Sequence, residues 1–365
     1  MRVIISGGGT AGHINPALAT AGRLAREHGA EILFIGTKKG LESKLVPEAG
    51  WDIRYIEVAG LIRRLTPKNF LVIKQFLTAI SCCKKIIKEY KPDVVIGTGG
   101  YVCAPVLLAA HALKIPTLIH EQNVIPGVTV KLTAKTADSV CVSFPETTNY
   151  IKPAYAKKCV LTGNPIREEM LSVNKEESRR KLGLDERPFI VAFGGSLGAE
   201  QLNRAAITLI HSNLSDKFQF LLGTGQRFYE SVKEAVINHD TSIRIVPYID
   251  NMDIVMAAAD LVIGRAGALT VSELCALGKP SILVPSPNVA HDHQTYNAKS
   301  VENAGGAKLI ADSELNGERL LAIIKELLAQ PEVLKNMSEK AKSIGITDGT
   351  KRICDAALQL VKDLH

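Results

Sequence analysis

The chain is poor in the features that mark several protein classes. Its seven cysteines (82, 83, 103, 141, 159, 275 and 354) are odd in number, scattered, and form no CxxC pair. That excludes a disulfide frame and a zinc site and fits the reduced, buried thiols of a cytosolic protein. Long hydrophobic runs are missing too. A spanning helix needs about 18 unbroken apolar residues, whereas the most apolar long segment, Val102 to Leu113, is short and carries Pro105 and His111. No cleavable leader is expected, because Met1-Arg2-Val3-Ile4-Ile5-Ser6 runs straight into glycines and reads as a buried strand. Any membrane contact is therefore expected to be peripheral. Tryptophan occurs once, no Gly-Lys-Ser/Thr P-loop is present, and there is no Asp-x-Asp to hold a diphosphate-bound metal ion.

What is present is globular in kind. Of 365 residues, 46% are hydrophobic and 22% charged, with 29 glycines and 16 prolines. This excludes collagen-like, disordered and small disulfide-stapled chains, and the length suits two domains. Charge is uneven. Residues 1–165 carry 21 Lys and Arg against 11 Asp and Glu, and residues 166–365 carry 23 against 26. A basic first half and a mildly acidic second half point to different partners.

Apolar, β-rich runs alternate with helical patterns throughout, which predicts an α/β fold of two doubly wound, Rossmann-like domains facing across a cleft. Strands are expected at 2–6, 31–36, 53–57, 93–97, 117–120 and 139–143, then at 189–193, 218–222, 243–246, 260–264, 281–284 and 307–310. The halves repeat each other: Val3-Ile4-Ile5-Ser6-Gly7-Gly8-Gly9 is echoed by Ile190-Val191-Ala192-Phe193-Gly194-Gly195-Ser196. A joint is expected near Gly163-Asn164-Pro165, giving domains at 1–162 and 163–340 and a C-terminal helix at 341–365 that packs on its own domain or crosses back to the first.

Four glycine loops end expected strands: Gly7–Gly12, Gly97–Tyr101, Gly194–Ala199 and Gly264–Ala268. Such loops let backbone N–H groups approach a phosphate, and in open α/β sheets ligands bind at these ends. In the first loop Asn15 suits a helix cap and Pro16 the first helical position. His13 lies in that loop, and its imidazole either takes a proton from an attacking hydroxyl or hydrogen-bonds the loop backbone. Glu273, in a helix that opens at a glycine loop, either accepts hydrogen bonds from a ribose diol or is a solvated helix residue. His120-Glu121-Gln122-Asn123 is expected to present four polar side chains at a sheet edge. His291-Asp292-His293-Gln294 is a weak candidate for metal, with no distant carboxylate pair to complete a site. Between Leu61 and Lys91, Arg63, Arg64, Lys68, Lys74, Lys84, Lys85, Lys88 and Lys91 stand against Glu89 alone, interleaved with apolar residues. That mixture suits an anionic lipid surface or the basic solvent face of an ordinary amphipathic helix. Nucleic acid is disfavoured, since the segment has few aromatics to stack bases.

Taken in order, Gly7–His13, Gly99-Gly100-Tyr101-Val102, His120–Asn123, Gly163-Asn164-Pro165-Ile166-Arg167, Gly194-Gly195-Ser196, Arg265–Glu273 and Gln294 closely resemble the undecaprenyldiphospho-muramoylpentapeptide β-N-acetylglucosaminyltransferases, the peptidoglycan enzymes that convert lipid I to lipid II. The match runs from residue 3 to about residue 300. Ala11 departs from the pattern, since glycine is usual there. The resemblance implies a two-domain GT-B enzyme, inverting at the sugar C1, with UDP-N-acetylglucosamine on the second domain and lipid I on the first, at the cytoplasmic face of the membrane. It implies no cofactor, no metal and no nucleic acid. It places Thr10, Ala11, Gly12, His13 and Asn123 around the donor sugar and acceptor, with His13 as the base. Arg167 and Ser196 fall on the diphosphate side, Ile249 at the uracil, and Ala268, Leu269, Thr270, Val271, Ser272 and Glu273 at the nucleotide. Gln294 falls at the sugar, and Glu273 at the ribose hydroxyls.

Overall fold

The computed structural model describes residues 1–58, 68–195, 197–212, 217–236 and 240–363. Contacts divide these into two compact units, one made of Met1–Pro165 with Asp348–His365, the other of Ile166–Thr347.

The first unit is a seven-stranded sheet built from β1 (Arg2–Gly7), β2 (Glu31–Gly36), β3 (Asp52–Tyr55), β4 (Val94–Gly99), β5 (Thr117–Glu121), β6 (Ser139–Val142) and β7 (Cys159–Leu161). Its order is β3-β2-β1-β4-β5-β6-β7, and every pairing is parallel. Strands covered on both faces must be apolar on both faces, and Val3, Ile4, Ile5, Val94, Val95 and Ile96 are fully buried. The second unit repeats the plan with β8 (Phe189–Phe193), β9 (Gln219–Gly223), β10 (Ile243–Val246), β11 (Leu261–Gly264), β12 (Ser281–Leu283) and β13 (Ala307–Leu309). Its order is β10-β9-β8-β11-β12-β13, again parallel throughout. In both sheets the strand order reverses beside the first strand of the unit. The four glycine loops follow β1, β4, β8 and β11, the two strands on either side of each reversal, where a crevice opens outside the carboxyl ends.

Twelve of these strands coincide with the apolar runs of the sequence. The thirteenth, β7, is a short edge strand with Val160 and Leu161 exposed, and too little burial for a hydrophobic signature. The sequence boundary at 162/163 falls three residues before the end of the first unit's main segment. The helical pattern at the C-terminus resolves into two helices rather than one. Pro331–Ile344 belongs to the second unit, whereas Gly349–Lys362 packs on the first. From the latter, Ile353, Cys354 and Ala357 share a core with Ala17, Ala21 and Leu24, where each large aliphatic side chain contributes about 1.5–3 kcal/mol by leaving water.

The helices of the first unit include α1 (Ala11–His28), α2 (Glu42–Glu48), α3 (Lys68–Tyr90) and α4 (Cys103–Ala112). The expected start of α1 at Asn15–Pro16 is corrected. Gly9 takes a left-handed conformation (φ +85°) and turns the chain so sharply that α1 begins at Ala11, after Thr10. The backbone N–H groups of His13 and Ile14 both donate to the Thr10 carbonyl at 3.1 and 3.2 Å. Pro16 therefore lies inside the helix, where its missing N–H leaves one backbone bond of the ladder unmade. Ala11, as a first helical residue, is not among the left-handed positions, so the alanine costs the loop nothing in backbone strain.

Candidate active site

In the first unit, β1 and β4 bring their glycine loops into contact. A Cβ on Gly100 (φ +83°) would lie 2.2 Å from the Gly8 carbonyl oxygen, and one on Gly99 2.7 Å from Cδ2 of His13. Only bare backbone permits this approach. His13 stands half-buried in the first turn of α1 rather than in the loop itself. Its Nδ1 lies 3.0 Å from the Gly8 carbonyl oxygen and 3.2 Å from Thr10 Oγ1. A carbonyl can only accept, so Nδ1 carries the proton and Nε2 the lone pair. From β4, Thr98 Oγ1 donates to the His13 carbonyl at 2.7 Å.

The 120–123 segment differs from expectation. His120, Glu121 and Gln122 are buried, and only Asn123 of the four is half-exposed. They turn inward because they supply the loop with hydrogen bonds that the sheet ends cannot. Gln122 Nε2 donates to the Thr98 carbonyl at 2.8 Å and lies 2.9 Å from His120 Nδ1. The other His120 nitrogen lies 3.1 Å from both the Gly163 carbonyl and Ser143 Oγ. Burial, above all, together with the nearby His13, pushes the His120 imidazole down to about 4, so it is neutral near pH 7. Glu121 accepts from Asn123 N and Nδ2 at 2.9 and 3.2 Å and from Gly127 N at 2.7 Å. Burial raises its carboxyl pKa against the pull of those donors. Asn123 is thus held by both its backbone and its side chain.

In the second unit a cavity of about 610 Å³ opens at the ends of β8 and β11, lined among others by Gly194, Gly198, Arg227, Thr270, Ser286 and Gln294. Ser196 lies outside the described residues. The helix Glu200–His211 begins behind Ala199, and Ala268–Ala276 behind Gly267, neither with a side-chain cap. The positive ends of their dipoles favour an anion. Gln294 accepts from Ser286 N at 2.8 Å through Oε1, which leaves its amide N–H₂ to donate elsewhere. It follows two left-handed residues, His291 and Asp292 (φ +55° and +50°). Among the described residues no group of three or more His, Cys, Asp and Glu is placed to hold a metal ion.

Thr270 and Gln294 are the sequence candidates that line the cavity. Ala268 and Val271 are buried, and the Val271 N–H donates to the Gly267 carbonyl at 2.9 Å. Leu269 and Ser272 are half-buried on the same helix. Ile249 is buried after β10, where a Cβ on Gly223 would lie 3.1 Å from its side chain. Glu273 is set apart from the cavity lining and pairs with Arg167, Oε1 to Nε 3.8 Å. Burial raises the Glu273 carboxyl pKa and Arg167 pulls it back. Thr10 and Ala11 are exposed beside His13, and Gly12 is half-buried.

Sequence reasoning missed Arg227, which lines the cavity with its guanidinium 5.3 Å from the Phe228 ring centroid. The available signal was Gly223-Thr224-Gly225, a fifth glycine loop at a strand end. A Cβ on Gly198 would lie 2.2 Å from the Thr224 carbonyl oxygen, so this loop packs directly on the third. Arg265, which also lines the cavity, is committed to the fold: its Nη1 donates to the Val284 and Pro285 carbonyls, each at 3.2 Å, and pairs with Asp312 at 2.5 Å.

The chain matches the glycosyltransferase family 28 N-terminal domain over residues 3–142 and the C-terminal domain of that family over residues 189–353. A relative from Acetivibrio thermocellus named UDP-N-acetylglucosamine–N-acetylmuramyl-(pentapeptide) pyrophosphoryl-undecaprenol N-acetylglucosamine transferase is 48% identical, over 100% of this chain and 99% of its own. One from Bacillus cytotoxicus with the same name is 41% identical, over 99% and 100%. Among solved structures, MurG of Acinetobacter baumannii superposes with a TM-score of 0.81 at 30% identity, covering 98% of this chain and 99% of its own. A UDP-GlcNAc 2-epimerase from Neisseria meningitidis, bound to UDP-GlcNAc, superposes at 0.69 with 14% identity, over 98% and 100%, which is a likeness of fold alone.

Proposed function

The chain belongs to glycosyltransferase family 28, and we propose that it moves N-acetylglucosamine from UDP-N-acetylglucosamine to lipid I, forming lipid II for peptidoglycan. The observation that carries this reading is identity of 41–48% held across essentially the whole chain to transferases of that name. The first-unit site suits the acceptor and the second-unit cavity the donor. His13 Nε2 takes the proton from the acceptor hydroxyl as its oxygen attacks the sugar C1 from the face opposite UDP. The C1–O bond to the diphosphate breaks, and its electron pair leaves with UDP. Negative charge then grows on the diphosphate, where Ser196, Arg167, Arg227 and the amino ends of two helices favour it. Gln294 and Asn123 hold the sugar, Thr10, Ala11 and Gly12 present backbone to the reacting groups, and Ile249 with residues 268–272 lines the base and phosphates. Glu273 accepts the ribose hydroxyls. Incubation with UDP-N-acetylglucosamine and lipid I should give UDP and lipid II, with free UDP appearing only when lipid I is present. UDP released without acceptor favours an epimerase on a similar frame, and no turnover by folded protein defeats both readings.

The acceptor lies in a membrane, and no helix among the described residues is long and apolar enough to cross one. The basic segment supports a peripheral site on a cytoplasmic, anionic surface. Arg63 and Arg64 lie outside the described residues. On α3, Ala79, Cys83 and Ile87 face the core while Ile73 and Leu77 are exposed beside Lys74. The helix Val128–Thr133, which like α3 packs on α4, exposes Val128 and Leu132 beside Lys131. At about 1 kcal/mol per basic residue near an anionic surface, changing Lys74, Lys85 and Lys88 to glutamine should weaken binding to phosphatidylglycerol vesicles on the order of 100-fold. Added salt should weaken the unaltered protein in the same direction. Equal binding by the variant in a sedimentation assay would remove these lysines from the surface.

A further inference from the structure

The first glycine loop rests on an acidic side chain that no part of the reaction described above uses. Glu42 opens α2 and is 1% exposed, an unusual place for a carboxylate, whose burial is costly unless every oxygen is engaged. Its Oε1 accepts from Thr37 N at 3.0 Å and Thr37 Oγ1 at 2.7 Å. Its Oε2 accepts from Gly9 N at 3.1 Å. Three glycines make room for it: a Cβ on Gly8 would come within 2.8 Å of the carboxylate, on Gly36 within 2.7 Å of Cγ, and on Gly40 within 2.1 Å of Oε2. The N–H that Glu42 holds and the carbonyl that accepts from His13 Nδ1 belong to one peptide unit, Gly8–Gly9.

We propose that Glu42 is a positioning residue for His13, acting through the Gly8–Gly9 peptide. This rests on the reading of His13 as the base. A carboxylate bonded to the N–H of a peptide strengthens its carbonyl as an acceptor. The strengthened carbonyl holds the proton on Nδ1, keeps the lone pair on Nε2, and favours the imidazolium that forms when the acceptor loses its proton. The arrangement is an acid–base–substrate relay in which a backbone amide stands between acid and imidazole. Besides Glu42, the titratable groups around His13 are Tyr101, whose ring lies beside Gly9, and His120 from β5. His120 is held neutral near pH 7 by its burial.

The test measures turnover of UDP-N-acetylglucosamine with lipid I across pH for the full chain. In Glu42→Gln, kcat should fall about 10- to 100-fold with KM for UDP-N-acetylglucosamine within about twofold of the unaltered value. The acidic limb of the profile should move down by about half a pH unit or more, because the imidazole has lost a neighbouring negative charge. A brace that only stiffens the loop leaves the limb in place. His13→Ala with Glu42→Gln should be no slower than His13→Ala alone, as for residues acting as one unit. A normal limb and normal kcat in Glu42→Gln, with His13→Ala inactive, overturns the role of Glu42 and leaves the base intact. Full turnover by His13→Ala overturns both. Independent, multiplying losses also overturn the relay. If thermal unfolding shows that Glu42→Gln does not fold, Glu42→Asp keeps the charge but draws it back from Gly9. It should shift limb and kcat in the same direction by less, and unaltered values there overturn the proposal.

Discussion

Replacing His13 with alanine is expected to lower kcat by about 10²- to 10⁴-fold, the range over which a positioned general base acts, while UDP-N-acetylglucosamine still binds. The split follows from where the residues sit. His13 belongs to the unit formed by β1 and β4, and the cavity with Thr270 and Gln294 belongs to the other. Losing a proton acceptor therefore removes a contribution made during reaction without touching the donor's contacts. Isothermal titration with UDP-N-acetylglucosamine, run beside the turnover assay, checks both halves. Loss of donor binding would make His13 a structural support of a kind the geometry does not suggest, and unchanged turnover would move the base elsewhere.

The second large effect is expected at Glu273. Changing it to alanine should raise KM for UDP-N-acetylglucosamine roughly 10- to 100-fold, because a ribose diol left without its acceptor loses two charge-assisted hydrogen bonds, while kcat at saturating donor changes little. The residue also carries a pH signature. Burial raises its pKa and Arg167 opposes the rise. Since the ionised form is the better acceptor, donor affinity is complete above the folded-state pKa and falls as pH drops through it, which occurs at a higher pH than for an exposed glutamate. Arg167→Met removes the opposing charge, raises that pKa further and moves the loss of affinity to higher pH still. An Arg167→Met profile parallel to the unaltered one would show that the 3.8 Å pair has no influence on the site.

Much of this architecture is legible in the residues because parallel strands covered on both faces leave continuous apolar runs, and the loops at their ends demand glycine where backbones touch. Val3-Ile4-Ile5 and Ile190-Val191-Ala192, each leading into glycines, disclose the first strand of each sheet, whereas the order of the strands is written only in their pairing. Edge strand β7 escapes because Val160 and Leu161 are exposed, so no burial pattern writes it into the sequence. The direction of a polar side chain is equally hidden. His120, Glu121 and Gln122 read as a row of presented groups, yet burial turns them into internal struts, and only the positions of Thr98, Ser143 and Gly163 in space explain why. Glu42 is harder still: in sequence it is one glutamate among the surface-like residues of Leu41–Glu48. Its setting depends on Gly8, Gly36 and Gly40 arriving from separate elements. Arg227 was reachable, since Gly223-Thr224-Gly225 carries the same signal as the loops that were recognised.

The helix Gly349–Lys362 bears on how the protein is made. During synthesis the strands of the first unit emerge before the second unit, yet the face of α1 that Ile353, Cys354 and Ala357 will cover stays open to water until those residues have been made and have left the ribosome. The second unit, continuous in the chain, has all its parts earlier and can settle first. The unit that carries His13 is thus the last to close, so a nascent chain cannot complete the first unit's fold before the second unit has been translated in full.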